Sequence, residues 1–191
     1  MIAVQEQRDR PGRMWWGTRV LGVAWGLAGI AALLVYAAIS LGHYAIDALA
    51  AGLGSLESLV LAVNTVFMAW AEGYRGFQQR FSPRVAARAL NLYLYPTLPR
   101  LILAPLFCAG FFGATARLRR MIWIGTFLIV LAVLLFNELP QPWRGMLDAG
   151  VLVGLVWGMT SLPLAAWTTF RERREIVPAE VPSGEQEGAG L

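Results

Sequence analysis

The sequence predicts an all-α polytopic membrane protein with four transmembrane helices arranged as two hairpins. Three observations indicate this fold class: the composition, the length of the apolar runs and the distribution of arginine. Hydrophobic residues make up 57% of the 191 residues, charged residues make up only 15%, and the mean hydropathy is +0.55. Because soluble domains carry about 25% charged residues, this depletion indicates that the lipid bilayer is the solvent for most of the chain.

Four apolar runs supply the predicted spans, since crossing a bilayer takes about 20 predominantly apolar residues. The first run follows Trp15 and Trp16, where the interfacial aromatic belt is expected. That run is longer than the apolar core of a signal peptide and no cleavage site closes it, so we expect it to be retained. We place the four spans at residues 20–42, 56–74, 121–137 and 149–170.

Residues 75–120 link the two predicted hairpins and differ from them, because arginine here alternates with aromatic and aliphatic residues. Ser82 followed by Pro83 is a typical helix start. From Val85 to Tyr93 the apolar residues recur at spacings of three and four. This pattern predicts an amphipathic helix lying on the cytoplasmic membrane surface.

Residues 101–116 are apolar but short, and Pro105, Gly110 and Gly113 interrupt them. Sixteen helical residues rise only about 24 Å, which is less than the ~30 Å hydrocarbon core. We therefore predict a re-entrant or interfacial element that enters and leaves on the cytoplasmic side. A fifth crossing is the alternative.

All sixteen basic residues are arginine, and their positions favour one topology. If residues 101–116 turn back, fifteen arginines lie on the same side as both termini, and Arg144 lies alone on the other; if they cross, the division is ten to six. The positive-inside rule favours the first arrangement, with the tails 1–19 and 171–191 in the cytoplasm. The second tail is rich in Pro, Glu and Gly and is predicted to be disordered. Arginine without lysine is typical of a GC-rich genome; the alternative is a need for planar, bidentate contacts with phosphate. We expect the domain of residues 20–170 to lie in a bacterial inner membrane.

The arginines of the linking segment are the candidate contacts for anionic lipid headgroups or for a partner protein. A guanidinium group binds phosphate through two parallel hydrogen bonds, and cytoplasmic leaflets are anionic. Arginine mixed with aromatics also suits single-stranded nucleic acid, but the position between membrane elements favours lipid, so we predict no nucleic-acid partner. The candidates are Arg75, Arg80, Arg84, Arg88, Arg117, Arg119 and Arg120.

Glycines at four-residue spacing mark two helix faces on which another helix backbone could pack closely. One face lies in the last predicted span and a shorter one lies in the first. Two interpretations stay open: packing within the chain, or an interface with a second copy or another membrane protein. The residues are Gly150, Gly154 and Gly158, and Gly22 and Gly26.

Five polar residues are candidates for a functional role. His43 and Asp47 lie one helical turn apart, and with Glu57 they could support general-base chemistry on a lipid headgroup; they are equally typical of a membrane–water boundary. Asn64 and Glu72 fall in the second span, where polar groups are functional candidates by default. Alternatively, Glu72 pairs with a nearby arginine and Asn64 bonds to a neighbouring helix.

The chain contains one histidine and one cysteine, Cys108, so it cannot form an internal disulfide or a His/Cys-rich metal site by itself. We predict no cofactor. The P-loop, the dinucleotide fingerprint and the zinc-protease motif are absent from the sequence. The leading hypothesis is a non-catalytic accessory or scaffold subunit that binds lipid and partner helices. A small oligomeric transporter or channel is the second hypothesis, and a lipid-modifying enzyme is the third.

Overall fold

The computed structural model describes residues 16–172 and 178–181. These residues are helical or irregular and include no β-strand, which confirms the predicted all-α class. The helices are α1 (Trp16–Ala50), α2 (Ser55–Met68), a π-helix (Ala69–Phe81), α3 (Ser82–Leu94), α4 (Leu98–Ile102), α5 (Ala104–Ala109), α6 (Ala116–Asn137) and α7 (Trp143–Glu172).

Three helices, α1, α6 and α7, are long and apolar enough to cross a membrane. They contain the predicted spans 20–42, 121–137 and 149–170, and this supports the coarser prediction of a membrane protein. The remaining predicted span, 56–74, falls on α2 and the start of the π-helix. Helix α2 has only 14 residues, fewer than the ~20 that a crossing needs. The fourth span therefore stays a prediction.

The helical run from Ser55 to Leu94 continues without a break, with the π-helix at its centre. In a π-helix each N–H bonds to the carbonyl five residues back, so each turn holds more residues than an α-helical turn. Glu72 contacts Gly154 of α7, and Ser82 contacts Ser161 of α7. Ten residue steps along the run therefore advance about as far as seven steps along α7. The wide spacing ends near Pro83, which has no N–H to donate.

Helix α7 packs between α1 and this run and lies antiparallel to α1. Near its start Gly145 packs against Tyr44 and Ala48, and near its end Phe170 lines an apolar groove shared with Leu27. The sequence-adjacent helix α6 contacts α7 only slightly, and its one buried residue is Leu118. The main packing pairs thus differ from two hairpins of neighbouring helices.

Helix α3 lies inside the molecule, which differs from the predicted surface helix. Ten of its 13 residues are buried, between α1, α5, α7 and the C-terminal segment. Ala86, Ala87 and Ala89 let these neighbours approach closely. The apolar periodicity was sufficient to indicate a helix, but it did not reveal that the alanine-rich side is covered as well.

Helices α4 and α5 pack along the N-terminal half of α1. Leu101 contacts Gly22, Pro105 contacts Gly29, and Cys108 returns to the level of Gly26. Gly110 ends α5 in the left-handed conformation, with φ of +90°, a frequent helix terminator.

Residues Pro178–Val181, which we call the strap, pack on α3 beyond the end of α7. Ala179 and Val181 are buried against Ala87. Disorder of the tail 171–191 stays a prediction, and within that tail these four residues contact α3. The other residues of the tail beyond Glu172, and residues 1–15, lie outside the described ranges.

Candidate functional site

The Arg88 side chain is fully buried. It binds main-chain carbonyls at the end of α5, in the turn that follows α5 and in the strap. Its Nε donates to Phe107 O at 2.7 Å and its Nη1 to Ala179 O at 2.9 Å. Its Nη2 donates to Phe112 O at 2.8 Å and to Gly113 O at 3.0 Å. The guanidinium group thereby joins α3, the end of α5 with its following turn, and the strap.

Arg88 differs from the other candidate arginines in its burial. It was a candidate for headgroup contact, and with residues 178–181 in place its side chain has no exposed surface. The regular spacing of Arg80, Arg84 and Arg88 suggested a common exposed face, whereas α3 turns Arg88 towards the carbonyls at the end of α5. Phe107 adds a cation–π contact, with its ring centroid 4.3 Å from the Arg88 guanidinium carbon.

Most of the other candidate arginines are exposed and available for contact with lipid or protein. Arg84 is partly exposed, and its Nε lies 4.0 Å from the Glu180 carboxylate. Arg75 stacks over the Trp70 ring at 5.0 Å. The exposed set comprises Arg75, Arg80, Arg117, Arg119 and Arg120.

The π-helix carries an exposed polar patch beside its contact with α7. Gln78 accepts a hydrogen bond from the Trp157 indole N–H at 2.7 Å. In the described part of the chain, no ion pair joins Glu72 to Arg75 or to Arg80, so that structural explanation of Glu72 is not observed. The polar patch consists of Glu72, Arg75, Gln78, Gln79 and Arg80.

The remaining candidate polar residues are separated and serve local structure where they have partners. Asn64 donates to Met146 O of α7 at 2.8 Å, a bond between helices. Glu57 accepts from the Gly54 N–H at 2.7 Å and caps the start of α2. His43 and Asp47 are exposed and form no ion pair with each other in the described chain.

Both glycine faces pack within the chain. A Cβ atom on Gly154 would lie 2.8 Å from Glu72 Cβ, and one on Gly158 would lie 2.6 Å from Phe77 Cδ1. Gly150 packs on the Asn64 side chain. Gly22 and Gly26 are buried against α4 and α5. The described structure therefore accounts for these glycines by packing of α7 on the π-helix and of α1 on α4–α5.

Sequence reasoning missed an ion pair near the start of α7. Arg144 Nε lies 3.7 Å from Asp148 Oδ2, and the Arg144 guanidinium stacks 3.5 Å from the Tyr44 ring centroid. Asp148 is only 3% exposed, and its Oδ2 has no hydrogen-bond partner. The available signal was the four-residue spacing, which places the two charges on one helix face.

Cys108 is buried next to Arg88 in the packed α5 helix. Burial raises the pKa of its thiol from 9.0 to about 12, and the Arg88 charge offsets only part of this shift. The thiol is thus protonated and unreactive at neutral pH. Within the described ranges, no group of three or more His, Cys, Asp or Glu residues could hold a metal ion.

Comparison of the chain with protein-family models, with curated proteins and with solved structures finds no match.

Proposed function

We propose that this chain is a non-catalytic accessory or scaffold subunit of a bacterial inner membrane. It binds a partner membrane protein through the polar patch, and it binds anionic lipid through the exposed arginines at the start of α6, Arg117, Arg119 and Arg120. The observation that carries the proposal is an exposed group of charged and amide side chains level with the middle of a candidate spanning helix.

The depth of the polar patch follows from its contacts with α7. Gly158 is the sixteenth of the 30 residues of α7, and it packs against Phe77, at the centre of the patch. An ionised side chain at the middle of a bilayer costs about 2.5–3.5 kcal/mol even on permissive insertion scales. Polar groups of another protein, or water in an enclosed space, must therefore cover the patch.

Helix α6 offers a second surface for a partner. It is a candidate span of 22 residues, and only 6% of its apolar window is buried. Its exposed apolar side chains suit both lipid and partner helices. The buried Arg88 and Ser82 and the partly buried Asn64 are engaged in contacts within the chain, which supports a structural role rather than a catalytic one.

The predicted topology fits this role. The chain from Leu101 to Cys108 advances along α1 as far as Gly29 and then returns, as a re-entrant element would. Arg117, Arg119 and Arg120 follow at the start of α6 and would lie at the cytoplasmic surface. With the run from residue 55 as a fourth crossing, both termini are cytoplasmic.

A small oligomeric transporter is the second candidate, because the same polar patch could line a water-filled path between copies. The π-helix favours it, since π-type turns are frequent at functional sites. In this case Glu72→Gln would abolish solute flux in reconstituted vesicles, whereas an accessory subunit would show no flux of its own.

The test is site-specific photo-crosslinking in native membranes. A photoreactive residue at Gln79 is expected to give one defined protein adduct larger than two copies of this chain. The matched control is Leu33, an exposed apolar position on α1, which is expected to give no protein adduct. Adducts of equal yield at both positions, or none at Gln79, would contradict the proposal; a dimer adduct from Gln79 together with flux would favour the transporter.

A further inference from the structure

The strap occupies a place where three hydrogen-bond donors converge on oxygen atoms of two consecutive residues. Arg88 Nη1 donates to Ala179 O at 2.9 Å, and the Thr115 N–H donates to Glu180 O at 2.9 Å. The Arg84 guanidinium faces the Glu180 carboxylate at 4.0 Å. Each of these contacts of the strap is thus made by an oxygen.

The donors come from two elements that each favour negative charge. Arg84 and Arg88 lie four residues apart on α3, so both guanidinium groups reach one side of that helix. Thr115 is the N-cap of the 22-residue helix α6, and the positive end of the helix dipole attracts anions. Removing the strap would take two accepting carbonyls and the facing Glu180 carboxylate from this positive site.

The strap satisfies this site incompletely. Arg84 Nε is buried and has no hydrogen-bond partner, because the Glu180 carboxylate is too distant to accept from it. Glu180 also adopts a φ of +50°, a left-handed conformation that costs free energy for a residue with a side chain. A ligand with closer oxygens and no backbone strain would fit the three donors better.

We propose that Arg84, Arg88 and Thr115 form a phosphate-binding site and that the strap is a displaceable substitute for its ligand. A phosphate group presents several terminal oxygens, enough to accept from all three donors at once. The phosphate belongs either to an anionic lipid headgroup or to a soluble phosphate compound, and its binding releases the C-terminal tail. This site requires no partner on the polar patch, so its test can fail or succeed separately from the cross-linking test of the proposed function.

The test measures the position of the strap in the full-length protein. Spin labels are placed on cysteines at Ala116 and Pro178, both exposed, in a Cys108→Ala background, and the protein is reconstituted in phosphatidylcholine nanodiscs. A short, narrow distance distribution is expected without ligand. Inorganic phosphate, or phosphatidylglycerol in the nanodiscs, is expected to shift it to a long, broad one; sodium chloride at equal ionic strength is not.

The two arms distinguish the source of the phosphate. Release by inorganic phosphate in phosphatidylcholine nanodiscs identifies a soluble ligand, and release by phosphatidylglycerol alone identifies a headgroup. Failure of both to move the strap, or equal release by chloride, would overturn the proposal.

Variants assign the effect to residues. Arg88→Gln risks misfolding, so the informative change is Arg84→Gln, which is expected to raise the ligand concentration for half-release on the order of tenfold, as for one lost charge-assisted hydrogen bond. Arg80→Gln removes the same charge from an exposed position away from the strap and is expected to leave the midpoint unchanged. An equal shift for both variants would show general electrostatic attraction and refute the site.

Glu180→Gln is expected to lower the ligand concentration for half-release several-fold, because it weakens the strap alone.

Discussion

Arg88 joins α3 to the end of α5, to the turn that follows α5 and to the strap, so the packing of these segments depends on it. Hydrogen bonds to a charged group stabilise by about 1.5–3 kcal/mol each, and a buried carbonyl left without a donor costs about 1–3 kcal/mol. The guanidinium group serves four carbonyls. The four-residue spacing of Arg80, Arg84 and Arg88 could not show that Arg88 is buried, because burial depends on which distant segments pack over a residue.

Replacing Arg88 by glutamine should therefore reduce the free energy of unfolding by about 3 kcal/mol or more. Lysine keeps the charge but loses the planar fork of donors, so Arg88→Lys should recover only part of the loss. Denaturant titration in detergent micelles measures both. The control, Arg80→Gln at an exposed position, should stay within about 0.5 kcal/mol of the parent; an unchanged Arg88→Gln would contradict the structural role of the carbonyl contacts.

The thiol of Cys108 gives a prediction about pH. Since burial raises its pKa to about 12, the folded chain keeps the proton where the unfolded chain loses it. The contribution of the thiol to stability is therefore present below pH 9 and is lost as the pH rises from about 9 to 12.

Alkylation of the folded protein checks this shift. Cys108 should react far more slowly from pH 7 to 9 than a cysteine placed at exposed Ala116 in a Cys108→Ala background, because only the thiolate reacts and burial keeps the Cys108 thiol protonated and out of reach of the reagent. Equal rates at the two positions would show that the Cys108 thiol is accessible to solvent.

At the scale of elements, the close contact between α7 and the π-helix depends on glycine. A Cβ on Gly158 would lie 2.6 Å from Phe77 Cδ1, whereas one on Gly125 of α6 meets nothing within 4 Å. Gly158→Ala should therefore destabilise the protein by about 1–3 kcal/mol through overpacking. Gly125→Ala should be neutral or stabilising by up to about 1 kcal/mol, since alanine favours a helix.

Unfolding midpoints of the two glycine variants provide the measurement, and each serves as the control of the other. Equal effects would mean that the α7 contact is looser than the structure shows, because intrinsic helix propensity alone would then govern both positions.

Elements differed in how far their sequence could predict them. The apolar run of α6 is long and uncharged, so composition alone identified it. The π-helix carries no such signal, since its hydrogen-bond pattern arises where Gly73 and Phe77 fit against Trp157 and Gly158. The Pro and Glu content of the tail predicted disorder. The contacts of the strap with Arg88 and Thr115 could not be predicted from that content, because both partners are distant in sequence.

At the scale of the molecule, the arrangement of the helices combines local and distant information. Hydropathy identified α1, α6 and α7 as candidate spans, but their pairing depends on the shape of their faces. The glycines of α7 allow the run from Ser55 to Leu94 to pack closely on that helix. Helix α6 has no comparable face of small residues in contact with α7. Sequence order therefore suggested hairpins that differ from the observed packing.

We propose for the whole molecule that the polar patch lies within the membrane and is covered there by another protein. The accessibility of a cysteine at Gln79, in a Cys108→Ala background, is the measurement that bears on this proposal. In intact cells and in inverted membrane vesicles, a bulky impermeant maleimide should fail to label Gln79→Cys while it labels Arg120→Cys in the vesicles. After purification as a single chain in detergent, Gln79→Cys should react as fast as Arg120→Cys. Equal labelling of both positions in inverted vesicles would place the patch in the cytoplasm and contradict the account.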